Sequence, residues 1–358
     1  MNTIKKEHRM ESIRFFVQEL ISSINNEAKK QEASIHLFGV ASLASMLAMK
    51  RGQDAELASI AALLHRYYDY KTGISEFSGL NSAESVRPFI RDLDLFMKEE
   101  QNTILRAIFY YEDRSRSQGP YEEILKDAYL LQLYLHQPNH CFDQVGKSRL
   151  EKVFSELMIP AKFVGASIDS DTVGIDERST TRELLADIAE SLAGEDIIGV
   201  PGDERYREIC RYWPDSDIHK VLKNSWCAAF VYYCCKLAGF RLPIRYPNGV
   251  CRFAGVAAWL EWAQLPETGF FYKDGQNGFT PQRGDIVIYD KLLSDEPHDH
   301  IGIILSCEDT QILVAEGNRD NQNYSDVFYR ERQRFILGYI RISNDYQYEW
   351  CGEYIPNT

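Results

Sequence analysis

The stretch Ser225-Trp226-Cys227-Ala228-Ala229-Phe230-Val231 places a cysteine at the start of a strongly apolar segment that continues to Ala238. Gly239 follows directly and is expected to end a helix there. A helix that is apolar nearly all round should be central and buried, with only its first turn reaching a cleft. Cys227 is therefore a candidate nucleophile, because the positive end of a helix dipole favours a thiolate. The alternative is a small core cysteine, since free cysteines are often buried.

Two later segments supply a candidate base and a group to orient it. His300 lies in Asp299-His300-Ile301-Gly302-Ile303-Ile304, and Glu316 and Asn318 lie in Val314-Ala315-Glu316-Gly317-Asn318. A cysteine on a helix, then a histidine on a strand, then a polar partner on the next strand is the papain-type order. We expect Asn224 or Ser225 to cap the helix, which leaves its first amides for an oxyanion.

The spacing of these residues can be tested by hairpin geometry. If Glu308-Asp309-Thr310 is a three-residue loop, Cys307 faces Gln311. Counting outward then sets His300 opposite Asn318, with Glu316 one diagonal step away on the same face. Either Glu316 or Asn318 is thus placed to orient the imidazole of His300.

Length and charge bound the class of protein. A chain of 358 residues is too long for one ordinary core, so two domains are expected. The net charge of −13 argues against nucleic acid or an anionic membrane as a partner. No stretch was expected to reach the length of a membrane span, and no apolar region follows the basic start. We therefore expect a cytoplasmic protein with reduced cysteines, although specialised export stays open, and the sequence leaves the oligomeric state undetermined.

Local patterns divide the chain. Residues 1–160 show helical periodicity without strand alternation and predict an all-α domain, with Ser34 and Asp54 as helix caps and one helix over 55–70. Residues 161–181 are rich in turn formers and predict a linker. Residues 182–345 predict an α+β domain, and residues 346–358 a tail. Strands are expected at 284–289, 300–307, 311–316 and 335–342, the last three as an antiparallel meander.

Residues from about Arg182 to Ile342 resemble the CHAP amidohydrolase/peptidase group of the NlpC/P60-like, papain-fold superfamily. The matching stretches are 225–231, Arg283-Gly284-Asp285-Ile286-Val287, 300–303 and 316–318. The resemblance implies an antiparallel sheet and no cofactor. It also implies that Cys227 is the nucleophile, His300 the base and Glu316 or Asn318 the third residue. The implied substrate is a peptide or peptidoglycan fragment, cleaved at an amide bond.

Residues from about Glu32 to Tyr134 resemble an HD-type metal-dependent phosphohydrolase domain with an incomplete ligand set. His36 opens the first metal segment, and Ala61-Ala62-Leu63-Leu64-His65 resembles the lead-in to a His-Asp pair. Arg66 stands where the aspartate belongs, and a guanidinium is not a metal ligand.

Later in this segment, Tyr129 occupies the position of the closing aspartate. Only His36 and His65 of the usual ligands are present, with Asp69 or Asp127 as candidate substitutes, so we predict that the domain holds no metal. Two alternatives to the amidase stay open: an HD phosphohydrolase with a passenger CHAP-like domain, and a non-catalytic binding scaffold.

Overall fold

The computed structural model describes residues 2–137, 140–159, 180–332 and 334–356, with side chains from residue 8 onward. The chain forms two compact units. The helical unit comprises residues 1–174 and 353–358, and the mixed unit comprises residues 175–352. The linker predicted at 161–181 lies almost entirely outside the described residues. The last part of the predicted tail belongs to the helical unit.

The described part of the helical unit contains α-helices and no strand, as its periodicity predicts. Helices α2, α3, α6 and α7 pack on one another, and α5 packs on α6. The helices are α1 Asn2–Ser22, α2 Glu27–Lys50, α3 Ala55–Leu64, α4 Tyr67–Thr72, α5 Ser78–Asp92, α6 Lys98–Tyr110, α7 Pro120–His136 and α8 Gln144–Glu156.

Two helix boundaries differ from the prediction. Asn26 caps α2, by accepting from the amide of Lys29, so Ser34 lies inside the helix and its predicted role as a cap is wrong. Asp54 does cap α3, because its carboxylate accepts from two first-turn amides. The single helix expected over 55–70 is broken, since Arg66 has φ −118° and ψ 27° and separates α3 from α4. The apolar periodicity continues across this break, which hid it.

The expectation that no stretch approaches a membrane span is also wrong. Among the described residues, α2 is a helix long and apolar enough to cross a membrane by length and composition. A core helix meets the same two criteria, and α2 packs against α3 and α7 inside the helical unit.

The mixed unit is a six-stranded antiparallel sheet with helices, in the strand order β1-β6-β2-β3-β4-β5. Its helices are α9 Thr181–Ala193, α10 Glu204–Cys210, α11 Ile218–Val221, α12 Cys227–Leu237 and α13 Val256–Ala263. Its strands are β1 Phe271–Lys273, β2 Ile286–Tyr289, β3 His300–Cys307, β4 Gln311–Glu316, β5 Asp326–Glu331 and β6 Ile336–Ile340. The predicted class, an all-α domain followed by an α+β domain with an antiparallel sheet, is confirmed.

The order of the strands corrects the predicted meander. Strand β6 pairs with β1 and β2 and does not follow β4 in the sheet. Strand β4 pairs with β3 on one side and on the other with β5, which the sequence did not predict. Strand β5, with the sequence Asp-Val-Phe-Tyr-Arg-Glu, carries charged residues at both ends and has no fully buried position, so it lacks the apolar signal of a core strand.

Helix α12 is the buried central helix that the sequence predicts. It packs against β3, β4 and α9, and its residues from Cys227 to Cys235 are all buried. Gly317, just after β4, permits the close approach of this strand end to the helix. A Cβ atom at Gly317 would lie 2.4 Å from Cβ of Phe230 and 2.7 Å from the ring of Trp226. The start of α12 is thereby held beside the end of β4.

Candidate active site

Cys227 is the first residue of α12, and no side chain among the described residues caps this helix. The prediction that Asn224 or Ser225 provides the cap is wrong. Asn224 adopts a left-handed conformation with φ 55°, and Trp226 occupies the N-cap position. The first intrahelical bond runs from the amide of Phe230 to the carbonyl of Trp226. The amides of the first turn therefore keep the donor capacity that a helix start leaves unused.

Cys227 lies at the wall of a cavity. Its side chain is almost buried, with 6% of the residue exposed, and it lines a cavity of about 470 Å³ within the mixed unit. The neighbouring Trp226 is fully buried and donates from Nε1 to Oδ1 of Asn323 over 3.1 Å. This bond anchors the helix start while the sulfur faces the cavity.

His300 and Glu316 form a fully buried pair at the ends of β3 and β4. Nε2 of His300 lies 2.8 Å from Oε2 of Glu316, and both residues have no exposed surface. Nδ1 of His300 is buried and has no hydrogen-bond partner among the described residues. Cys227 is close enough to His300 to act on its pKa. One ring nitrogen is thus bound by the carboxylate, and the other is left for the thiol.

The hairpin register that predicted this pair is only partly correct. Cys307 pairs with Ile312, so the predicted pairing of Cys307 with Gln311 is wrong at the turn. An irregularity between Ile304 and Ser306 shifts the register by one residue, and Ile303 then pairs with Ala315. A bulge adds one residue to one strand, so it shifts the pairing by one position. Beyond the bulge the pairing is the one that the prediction assumed for His300 and Glu316. The bulge itself has no clear sequence signal.

Arg330 on β5 binds the far side of the same carboxylate. Its Nε donates to Oε1 of Glu316 over 2.7 Å, and its Nη2 donates to Oε2 over 2.6 Å. Nη2 also donates to Oδ1 of Asp320 over 2.9 Å. The guanidinium lies over the ring of Phe328, 4.5 Å from its centroid. A two-pronged arginine contact of this kind fixes the plane of a carboxylate.

The pKa values of His300 and Glu316 shift in opposite directions, and each shift favours the charged form of the residue. Burial disfavours the charged imidazole, but the Glu316 carboxylate and Cys227 outweigh it and raise the pKa of His300 to about 10. Burial likewise disfavours the carboxylate, but His300 and Arg330 outweigh it and lower the pKa of Glu316 to about 2. At neutral pH the pair is therefore a buried imidazolium and a buried carboxylate.

The structure distinguishes between Asn318 and Glu316, the two candidates for the residue that orients His300. Asn318 has φ 53°, donates from Nδ2 to Asn321 and accepts from the amide of Asn323 at Oδ1. Its side chain therefore organises the loop after β4. Of the two residues that the sequence left open, Glu316 is the one that binds the imidazole of His300.

The cavity beside Cys227 carries two arginines and one carboxylate. Arg245 and Arg252, cross-strand partners in an isolated bridge, both line it. Arg252 forms an ion pair with Asp215. Asp299 also lines the cavity, but its carboxylate already accepts from the amides of residues 292, 293 and 294. The cavity wall thus carries charges of both signs, and Asp215 already pairs with one of its two guanidinium groups.

Sequence reasoning missed Arg330, Arg245 and Arg252. Arg330 lies on the strand that was not predicted, and the two cavity arginines lie in a loop without periodicity.

In the helical unit, His36 and His65 do come together. Their Nε2 atoms are 3.2 Å apart, and Nδ1 of His65 donates to the carbonyl of Ala62 over 2.6 Å. The ring of Tyr129 lies edge-on to both imidazoles, with centroids 5.5 and 5.8 Å away. Burial and the nearby Arg66 lower the pKa of His36 to about 4, and burial also lowers the pKa of His65. Both rings are therefore neutral at physiological pH.

The two aspartates considered as substitute ligands are engaged elsewhere. Asp69 accepts from Arg66 over 2.9 Å and from the hydroxyl of Ser78 over 2.6 Å. Asp127 is paired with Arg51 and Arg149 over 2.8 and 2.9 Å. Within the described ranges, no group of three or more His, Cys, Asp or Glu residues is arranged to hold a metal ion. The residues present do not fit a divalent metal centre, which needs more oxygen ligands.

Comparison with known proteins gives a family match within the mixed unit. Residues 219–318 match the family model described as CHAP domain, which confirms the resemblance seen in the C-terminal half. The match contains Cys227, His300 and Glu316, and a CHAP domain indicates a hydrolase of amidase or peptidase type.

No curated protein matches the chain. Among solved structures, the chain is similar to a predicted HD superfamily hydrolase from an uncultured Thermotogales bacterium. The two share 19% sequence identity over 42% of this chain and 90% of that chain, with a TM-score of 0.29.

The coupled pair predicts a pH-dependent stability for the mixed unit. The contribution of His300 should be complete below about pH 6.5, its ordinary pKa, and be lost as pH rises through about 10. That of Glu316 should be complete above about pH 4.5 and be lost as pH falls through about 2. Glu316→Gln should therefore lower the free energy of unfolding most between about pH 4.5 and 6.5, by on the order of 3 kcal/mol. The loss should be smaller toward pH 10.

Urea unfolding followed by tryptophan fluorescence measures this cost, because all five tryptophans lie in the mixed unit, at positions 213, 226, 259, 262 and 350. Glu331→Gln, at an exposed position of β5, is the matched control and should change little. A cost for Glu316→Gln that stays constant from pH 5 to pH 10 would contradict the coupling.

The helical unit should purify without a stoichiometric metal and should not hydrolyse nucleotide phosphates. The reason is that Asp69 and Asp127 are already bound by arginines, which leaves His36 and His65 with too few anionic partners. Elemental analysis of protein prepared without chelator measures the metal content. Manganese, iron or zinc near one equivalent that disappears in His65→Ala would show the prediction to be wrong.

Proposed function

We propose that the mixed unit is a cysteine amidohydrolase or peptidase, in which Cys227 is the nucleophile, His300 the general base and acid, and Glu316 the orienting carboxylate. The observation that carries this proposal is the series of contacts from Arg330 to the buried Glu316 and on to the buried His300, which leaves Nδ1 of His300 for the first residue of an uncapped helix. A core cysteine has no need of a buried charged pair beside it, because burying charge is costly.

The chemistry follows from the positions of these groups. The imidazolium form of His300 supplies a positive charge for a thiolate at Cys227, and the dipole of α12 acts in the same sense. The thiolate attacks an amide carbonyl, and the uncapped first-turn amides bind the resulting oxyanion. His300 protonates the departing amine and then takes a proton from the water that hydrolyses the thioester.

We infer that the substrate carries a carboxylate near its amide bond. Arg245 and Arg252 line the wall that Cys227 also lines, and arginine binds carboxylates through its planar donors. Peptides of the peptidoglycan type carry such carboxylates next to amide bonds, so we propose them as the substrate class. No cofactor takes part in this scheme.

Replacing Cys227 with Ala, or His300 with Ala, should reduce amide hydrolysis by at least about 10³-fold, because each removes a chemical role. Purified peptidoglycan fragments, with products identified by mass spectrometry, provide the assay. Cys351→Ala, at an exposed cysteine away from the cavity, is the control and should retain wild-type turnover.

Wild-type turnover in Cys227→Ala would end the proposal. A wild-type protein that binds peptidoglycan peptides but cleaves none would favour the non-catalytic scaffold. Metal-dependent hydrolysis that survives both substitutions would favour the HD phosphohydrolase alternative.

A further inference from the structure

The segment Glu353–Pro356 is bound on the helical unit through the backbone of Tyr354. The amide of Tyr354 donates to the phenol oxygen of Tyr110 over 2.8 Å. The carbonyl of Tyr354 accepts from Nη1 of Arg106 over 3.0 Å. Both backbone polar groups of one residue are thus paired with side chains of α6, as in the recognition of an extended peptide.

The side chain of Tyr354 is held at its ring and at its hydroxyl. The residue is fully buried, and its ring stacks on Phe109 with centroids 4.0 Å apart and planes 9° apart. Its hydroxyl donates to Oε1 of Glu84 over 2.7 Å. Glu84 lies on α5 and is 3% exposed, and Arg87 lies 3.2 Å from its other oxygen. A buried carboxylate at this place favours a phenol over a phenyl ring, because phenylalanine cannot donate the hydrogen bond that the Tyr354 hydroxyl makes to Glu84.

The residues next to Tyr354 differ in how much they contribute to the binding of the segment. Ile355 is 62% exposed, whereas Pro356 is buried. Glu353 pairs with Arg106 over 2.9 Å, but its side chain is 70% exposed, so that pair should add little. The buried residues of this segment are thus a tyrosine and, two positions later, a proline.

We propose that Glu84, Arg106, Phe109 and Tyr110 form a peptide-binding site, here named the Tyr354 site, and that the chain's own Glu353–Pro356 segment is its reversible ligand. Reversibility follows from the small size of the contact, since a segment of four residues without regular secondary structure can open locally. The site gives the helical unit a recognition function that needs neither a metal nor the chemistry at Cys227.

The test uses the full chain and the fluorescein-labelled peptide Gly-Glu-Tyr-Ile-Pro-Asn-Thr, which copies residues 352–358. Tyr354→Ala empties the site without altering the groups that form it, so this variant should bind the peptide saturably in an anisotropy titration. The wild-type chain should bind it at least about tenfold more weakly, because its own segment competes at high effective concentration. Ile355→Ala in the chain is the matched control and should behave like the wild type.

Two further variants separate specificity from a loss of folding. The peptide with Phe in place of Tyr should bind the Tyr354→Ala chain about tenfold or more weakly, because it lacks the bond to Glu84. Tyr354→Phe in the chain keeps the stacked ring and loses only that bond, so it should bind the labelled peptide more tightly than the wild type does.

Three results would overturn the proposal. The first is equal peptide binding by the wild-type and Tyr354→Phe chains. The second is no binding by a folded Tyr354→Ala chain at peptide concentrations on the order of a millimolar. The third is a wild-type dimer that Tyr354→Ala abolishes, which would assign the site to the segment of a second copy.

Discussion

The buried carboxylate of Glu316 is the group on which the candidate site depends. It lies between two cations, the imidazolium of His300 and the guanidinium of Arg330, in a region without exposed surface. Removing either cation would leave the carboxylate with one cationic partner instead of two, and breaking a buried ion pair is strongly destabilising. The sheet order β3-β4-β5 is what brings the three side chains together, one from each strand.

The same constraint explains the local irregularities of the mixed unit. The register of the β3–β4 hairpin shifts between Ile304 and Ser306, and only beyond the shift does Glu316 reach His300. Gly317 then lets the end of β4 approach α12, where any larger residue would meet Phe230. Cys227 gains an uncapped helix start at this point of contact. The shifted register of the hairpin, Gly317 and the uncapped start of α12 thus all affect the surroundings of the Cys227 sulfur.

The sequence predicted that Glu316 lies within reach of His300 and that Cys227 begins a buried helix, because each of these residues lies in an apolar segment with clear periodicity. It was insufficient where position depends on tertiary pairing. Arg330 lies on a half-exposed strand that has no apolar pattern, and the bulge that corrects the hairpin register has no residue signature. The residue spacing alone allowed either Asn318 or Glu316 to contact His300. The left-handed backbone conformation of Asn318, which the spacing does not reveal, distinguishes the two residues. In the helical unit, the sequence identified the His36–His65 pair but not the arginines that engage Asp69 and Asp127.

The central claim is that Cys227 is an activated thiol held beside His300, and its rate of alkylation tests this most directly. Cys141 and Cys351 are exposed, whereas Cys227 is buried, so accessibility alone predicts that Cys227 is the slowest of the three. We predict the reverse at pH 6. Iodoacetamide should modify Cys227 at least about tenfold faster than Cys141 or Cys351, as followed by peptide mass spectrometry, and His300→Ala should remove this excess. Faster labelling of Cys141 and Cys351 than of Cys227 in the folded wild type would contradict the account.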